Sequence, residues 1–258
     1  MKGSIPVVRL AHCLRNFHKE TSALMANQNP HALIVRGGWD GHEPVQTTDS
    51  FIPFLTENNY QLRVEDSTKV YADADYLSTV DLIVQVVTMS TIENDELAGL
   101  RTAIANGTGL AGWHGGIADS YRNSADYLQL IGGQFAHHQA KGRPEELKGD
   151  GSDNFVRYTV DIVPAQKDHP IVAGIEDFEL ETEQYWVLSD DYNDVLATTT
   201  IGARDFDNWH RPITCPAIWT RQWGKGKIFV STPGHQLSVV DHPSVRKIIE
   251  RGMLWVTR

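Results

Sequence analysis

The sequence predicts an α/β fold: a parallel sheet with helices on both faces and a β-rich second half. Three observations carry this. "VDLIVQVV" (80–87) is almost continuously apolar, as a central parallel strand covered on both faces must be. From residue 32 to about residue 132, strand-like and helix-like segments alternate with short connections, the pattern of parallel strands joined by crossover helices. After about residue 140 the strand-like segments follow one another with few helices between them.

Taken in order, "ALIVRGG" (32–38) reads as a short buried strand ending in glycines. "TDSFIPFLTENN" (48–59) puts Phe51, Phe54 and Leu55 at i, i+3, i+4 spacing, one face of a helix. "YQLRVED" (60–66) alternates as a strand does. Beyond the central strand, Ser90 and Glu93 have capping-box spacing and Leu97, Leu100 and Ile104 form an apolar stripe. Gly107 stands where a C-terminal cap belongs, so a helix is expected between them. "GTGLAGW" (107–113) is the next strand, and residues 120–132 the next helix, with Tyr127, Leu128 and Ile131 apolar. "FVRYTVDIV" (155–163), "FELETEQYWV" (178–187) and "DVLATTT" (194–200) each read as one strand. "PAIWTRQW" and "KIFVSTP", joined by "GKGK", read as a hairpin. Asp241 is expected to cap a last helix that turns Val245, Ile248, Ile249 and Trp255 inward.

The chain has 258 residues, 41% hydrophobic and 22% charged, which suits one large α/β domain. The first 30 residues are basic, with Lys2, Arg9, Arg15 and Lys19 against Glu20. They lack a clean apolar run and a cleavage site, so they do not read as a signal peptide. Residues 1–30 are expected to be an extension outside the core, with Met25 resembling a natural start, and residues 31–258 the domain. A net charge of -10 argues against a phosphate-backbone partner. No stretch approaches 18 consecutive apolar residues, so no membrane span is expected. Cys13 and Cys215 form no metal or redox motif, which points to a reducing compartment, the cytoplasm.

In a parallel sheet, ligands bind beyond the carboxyl ends of the strands. Residues immediately after strands are therefore the candidates. "GGWDGHEP" (37–44) offers Trp39, Asp40, His42 and Glu43; "GWHGG" offers Trp113 and His114, followed by Asp119; "KIFVSTP" is followed by Gly234 and His235. Three strands each release a histidine at one edge, so His42, His114 and His235 are expected to converge within about 10 Å. "GGQFAHHQ" (132–139) adds Gln134, His137 and His138, and "ETEQYW" adds Glu183 and Tyr185. Neutral imidazoles from different loops suit transition metals and also general acid–base work. There is no H-E-x-x-H pattern, and "GGWDG" is no dinucleotide fingerprint, so no nucleotide cofactor is expected.

Together "GGWDGHEP", "GWHGGIADSYRNSADYLQLIGGQF", "TEQYWV", "DVLATTT" and "GKGKIFVSTPGH" resemble the trehalose-utilisation, ThuA-like family from about Ala32 to the C-terminus. The resemblance implies a flavodoxin-like sheet of the class I glutamine-amidotransferase type. It places His114 where an amidotransferase carries its cysteine nucleophile, and His235 where one carries its triad histidine. Glutaminase chemistry needs a thiolate there, so it is not expected. What the resemblance implies instead is an enzyme acting on a sugar or keto-sugar glycoside, by hydrolysis or elimination, with a small-molecule carbohydrate as partner and room for a homo-oligomer. In that reading His42, His114 and His138 hold a divalent metal (Zn, Mn or Fe) or bind substrate. His114, His235 and Glu183 are the catalytic candidates, with His235 or Glu183 moving the proton. Trp39, Asp40, Trp113, Gln134 and Tyr185 contact the sugar. The chain departs from the family pattern at "AHHQ", where His137 and His138 are not distinguished. The alternative is a non-catalytic sugar-binding or regulatory protein with the same fold.

Overall fold

The computed structural model describes residues 29–258, so Cys13 and nearly all of the expected N-terminal extension lie outside the described residues. One nine-stranded sheet runs β2-β1-β3-β4-β11-β10-β9-β6-β7. Its first five strands are parallel: β2 (Gln61–Glu65), β1 (His31–Gly38), β3 (Leu82–Thr88), β4 (Gly109–Trp113) and β11 (Gly226–Ser231). The other four are antiparallel: β10 (Ile213–Trp223), β9 (Asp194–Ile201), β6 (Phe155–Ile162) and β7 (Phe178–Glu183). β5 (Gly133–His138) and β8 (Tyr185–Ser189) form a separate antiparallel ribbon.

Alternation along the parallel strands feeds two cores. Leu33, Val35, Ile83, Leu110 and Ile228 pack with Leu97, Leu100 and Ile104 of the helix Asn94–Asn106. Ile34, Val84, Val86, Ala111 and Phe229 pack with Ile248, Ile249 and Met253 of the helix Pro243–Val256. Both faces are covered, so strands whose every residue is buried, such as β3 and β4, are stable only in the middle of the sheet.

Four boundaries differ from the sequence reading. The helix expected over 48–59 is two short ones, Pro44–Asp49 and Ile52–Glu57, because Pro53 lacks an N–H and fits only the first turn of a helix. Its apolar face is as expected, with Phe51 and Leu55 buried. The cap expected at Ser90 falls at Glu93, whose N–H donates to Glu96 Oε2 at 3.2 Å. Ser90 is held outside the helix because its N–H donates to the Ser120 carbonyl. The strand expected over 178–187 breaks at Gln184, whose side chain donates to Thr199 Oγ1 at 2.6 Å, and its halves join different sheets. The last helix is capped by His242 with Pro243 in its first turn; the Asp241 carboxylate instead accepts from Arg246 Nη1 at 2.9 Å. In addition, the helix expected from 120 starts only at Ala125, where Ser124 Oγ accepts from Tyr127 N–H.

Candidate metal centre and its cavity

The carboxyl ends of β1, β3, β4 and β11 meet on one edge, and the turn after each is tight. β1 leads into the 3-10 turn Asp40–His42, β4 into His114, and β11 through Thr232 and Pro233 to His235. β4 and β11 are neighbours in register, Trp113 opposite Ser231, and His114 N–H donates to the Ser231 carbonyl at 2.6 Å. Among the described residues four non-glycine residues have positive φ, and three of them follow β1, β3 and β4: Glu43 (47°), Met89 (48°) and His114 (50°). Such conformations cost about 1–3 kcal/mol each and cluster where a site demands them. The residue after His114 must be glycine, since a Cβ on Gly115 would stand 2.5 Å from His42 Cε1.

Glu183, the last residue of β7, reaches the same point from the antiparallel half. Its Oε2 is 3.1 Å from His114 Nε2, 3.2 Å from His235 Nδ1 and 3.9 Å from His42 Nε2. His235 Nδ1 and His114 Nε2 are themselves 3.2 Å apart. All four side chains are buried, and one ligand atom from each lies within 4.8 Å of the rest. The rings of His42, His114 and His235 have centroids 4.5, 4.9 and 5.1 Å apart, well inside the expected 10 Å.

The tautomers follow from the outer contacts. His114 Nδ1 lies 2.7 Å from the Thr232 carbonyl, which only accepts, so Nδ1 carries the proton and Nε2 a lone pair. His42 Nδ1 lies 3.0 Å from Thr88 Oγ1, which leaves its Nε2 facing the centre. Burial pushes the His114 imidazole down to about 3 and lowers His42 as well, so both are neutral at pH 7. Burial opposes an ionised Glu183, but hydrogen bonding to Oε2 from the imidazole side, for which His235 Nδ1 at 3.2 Å is the donor in place, outweighs it and lowers the pKa of the carboxyl. His114 Nε2 and Glu183 Oε2 are then two acceptors facing each other at 3.1 Å. A donor between them is needed, and either His235 Nδ1–H, 3.2 Å from both, or a cation would supply it. Three imidazole nitrogens and one carboxylate oxygen, with the far side of the ring oriented by Thr232 or Thr88, make a donor set that could hold a transition metal.

A cavity of about 180 Å³ opens beside the cluster, lined by Trp39, His42, Met89, Asp119, Arg122, Phe135, His138, Asn154, Glu183 and Tyr185. The Tyr185 ring lies against His114, centroids 4.1 Å apart. Trp39, 48% exposed, sits edge-on to His42 at the mouth. A larger hollow of about 400 Å³, lined by Thr108, Asn106 and Arg258, is away from every one of these histidines.

Of the residues expected from the sequence, His42, His114, His235, Glu183, Tyr185 and Trp39 come together here. His138 points inward, its Nε2 3.7 Å from Glu183 Oε1, whereas His137 turns outward against Trp209. The close cluster differs from the expected ligand set of His42, His114 and His138: His235 and Glu183 join His42 and His114 in it, and His138 stands on the other oxygen of the carboxylate. Three expected sugar contacts do not join. Gln134 lines a separate groove with Leu128 and Leu188, on the opposite face of β5 from Phe135. Trp113 is in the core against Phe51, because the last residue of a strand covered on both faces has no solvent side. Asp40 is exposed in the turn that delivers His42 and does not line the cavity. Met89, Arg122, Phe135 and Asn154 were not anticipated; the only signal for Arg122 was its position three residues after Asp119.

The profile of the ThuA family, described as trehalose utilisation, matches residues 31–256. A comparison with curated protein sequences returned no match. Among solved structures, a ThuA-like protein from Bacteroides uniformis ATCC 8492 superposes with a TM-score of 0.65 at 15% identity, covering 88% of this chain and 91% of that one. Another ThuA-like protein, from Parabacteroides merdae ATCC 43184, gives 0.65 at 14% identity, covering 89% and 90%. A cytoplasmic protein from Salmonella typhimurium LT2 gives 0.58 at 12% identity, covering 88% and 100%. At these identities the likeness is one of fold. With the profile spanning almost the whole described chain, the protein belongs to the trehalose-utilisation (ThuA) family.

Proposed function

We propose that this protein is an enzyme of carbohydrate metabolism that holds a divalent metal through His42, His114, His235 and Glu183. It acts on a sugar or keto-sugar glycoside, by hydrolysis or elimination, and is not a glutamine amidotransferase. The observation that supports this best is the pair of acceptors, His114 Nε2 and Glu183 Oε2, aimed at one buried point from two halves of the fold. The family's description as trehalose utilisation favours a sugar, as do the exposed Trp39 and Met89 at the cavity mouth. A histidine at the elbow offers no thiolate. A cytoplasmic place of action accords with the description of the Salmonella neighbour.

When bound, the metal supplies Lewis acidity to a carbonyl or hydroxyl oxygen of the substrate, for which zinc, manganese and iron are all suitable. Glu183, held ionised by its neighbours, is a ligand and a poor proton acceptor. The proton is better taken at His138, whose Nε2 lies on the cavity side and whose side chain is 28% exposed. Tyr185 keeps the His114 ring in place by stacking on it. The test is turnover of a panel of glycosides and their keto derivatives by protein stripped with a chelator and reloaded with zinc, manganese or iron. Turnover that is lost on stripping and restored by one of these metals is expected. Sugar binding by the reloaded protein without any turnover would make it a binding protein instead.

A further inference from the structure

The cavity wall carries a guanidinium whose donors are only partly used. Asp119 caps the short helix Gly115–Ala118 after the elbow, and its side chain is 3% exposed. Its carboxylate takes Arg122 side-on, Oδ1 accepting from Nε at 2.5 Å and Oδ2 from Nη2 at 2.7 Å. Such a pair occupies Nε–H and one N–H of Nη2. The end of the group, both N–H of Nη1 and the second of Nη2, has no protein acceptor among the described residues. Arg122 lines the cavity with its side chain 50% exposed, whereas the carboxylate that orients it is buried. Its Cζ also lies 5.6 Å from the centre of the Phe135 ring, another wall of the cavity. The Asp119 carbonyl accepts from Met89 N–H at 2.9 Å, so the base of the pair is fastened to the turn after β3.

The end of a guanidinium matches the two oxygens of one carboxylate, each accepting one N–H. The charge of the cavity favours the same guest. Among its lining residues, the carboxylates of Asp119 and Glu183 against the guanidinium of Arg122 leave one negative charge. The divalent ion of the proposed function turns that into one positive charge, which a monoanion neutralises. A phosphate monoester, with a charge of about −1.5 to −2 at pH 7, overshoots. At about 180 Å³ the cavity is smaller than the roughly 300–1,000 Å³ of pockets that take drug-sized ligands, which suits a single ring.

We propose that the open end of Arg122, oriented by Asp119, anchors a substrate carboxylate, so that the unit bound in this cavity is a single-ring sugar acid. The assignment rests on the proposed function, which puts a sugar and a divalent ion in the cavity. The experiment is titration calorimetry of the full-length, zinc-loaded protein with D-glucuronate, its methyl ester, D-glucose and D-glucose 6-phosphate. The wild type is expected to bind glucuronate about tenfold or more tightly than the methyl ester or glucose, the worth of one charge-assisted hydrogen bond. Arg122→Gln is expected to lose that margin while its zinc content and its affinity for glucose stay at the wild-type level. Arg122→Lys keeps a charge beside Asp119 but has no fork, and most of the margin is expected to go; it decides the matter if Arg122→Gln does not fold. A wild type that binds the methyl ester or glucose as well as glucuronate, or glucose 6-phosphate ahead of it, overturns the carboxylate and leaves the sugar reading standing. A margin that survives in full in the folded Arg122 variants puts the carboxylate on the metal and overturns the role of Arg122. A loaded wild type that binds none of the four overturns the sugar reading, and this assignment with it.

Discussion

His114 Nε2 and His235 Nδ1 lie 3.2 Å apart across the β4–β11 pair, at the two positions that the amidotransferase resemblance gives to a cysteine and its histidine. The fold brings those two positions together with an imidazole at each. The wild type is therefore not expected to release ammonia from glutamine in a coupled assay, because an imidazole at this position supplies no thiolate. Glutamine hydrolysis by the wild type would remove the distinction drawn between this site and a triad.

Thr88 orients His42 from outside the cluster, through Oγ1 at 3.0 Å from Nδ1. Thr88→Val keeps the shape and deletes that contact. Loss of such an outer contact weakens metal binding by about 10–100-fold, which competition with a chromogenic chelator measures. Unchanged affinity would mean that His42 is not a ligand.

Gly115 shows how little room the elbow has. A methyl at this residue would fall 2.5 Å from His42 Cε1 and 2.6 Å from Nδ1, so the ring must move away from Thr88. Gly115→Ala should cost about 1–3 kcal/mol by overpacking, read as a lower Tm, and should also weaken metal binding. A variant with wild-type Tm and metal affinity would show that the ring is not held where described.

Acid should unfold the metal-free protein early. The folded His114 is pushed down to about 3 from an ordinary value of 6.5, so below 6.5 the unfolded chain binds the proton that the folded one refuses. Stability is thus full above pH 6.5 and falls as pH drops from there toward 3, by something on the order of 5 kcal/mol. Glu183, also lower in the folded state, adds a loss of the same sign once pH falls below its ordinary value of 4.5. Scanning calorimetry of stripped protein should show Tm falling steeply between pH 6.5 and 4, and less so in His114→Asn. A flat Tm over that range would contradict a buried neutral His114.

Much of this was legible in the sequence where a rule of parallel sheets applied. The strands before Gly37, Gly112 and Thr232 could be read from their apolar runs, and three histidines followed from strand ends sharing one edge. The directions of side chains within those strands were not legible. In a strand buried on both faces alternation carries no sign, so Trp113 read as a site residue when it faces Phe51. Glu183 was visible, but the corner at Gln184 that ends β7 beneath the cluster depends on a contact with Thr199 in a distant strand. Met89 and Arg122 were missed because their places depend on a positive φ and on a turn between two short helices, neither of which leaves a pattern in residue type.

The central claim is that the cluster is a metal centre, and the metal content of the purified protein tests it most directly. Inductively coupled plasma mass spectrometry on protein reloaded with zinc, manganese or iron and then desalted should find about one ion per chain. Glu183→Gln and His235→Ala, checked for folding by circular dichroism, should retain little of it. A wild type that stays metal-free after loading, or folded variants that keep the full complement, would contradict the claim.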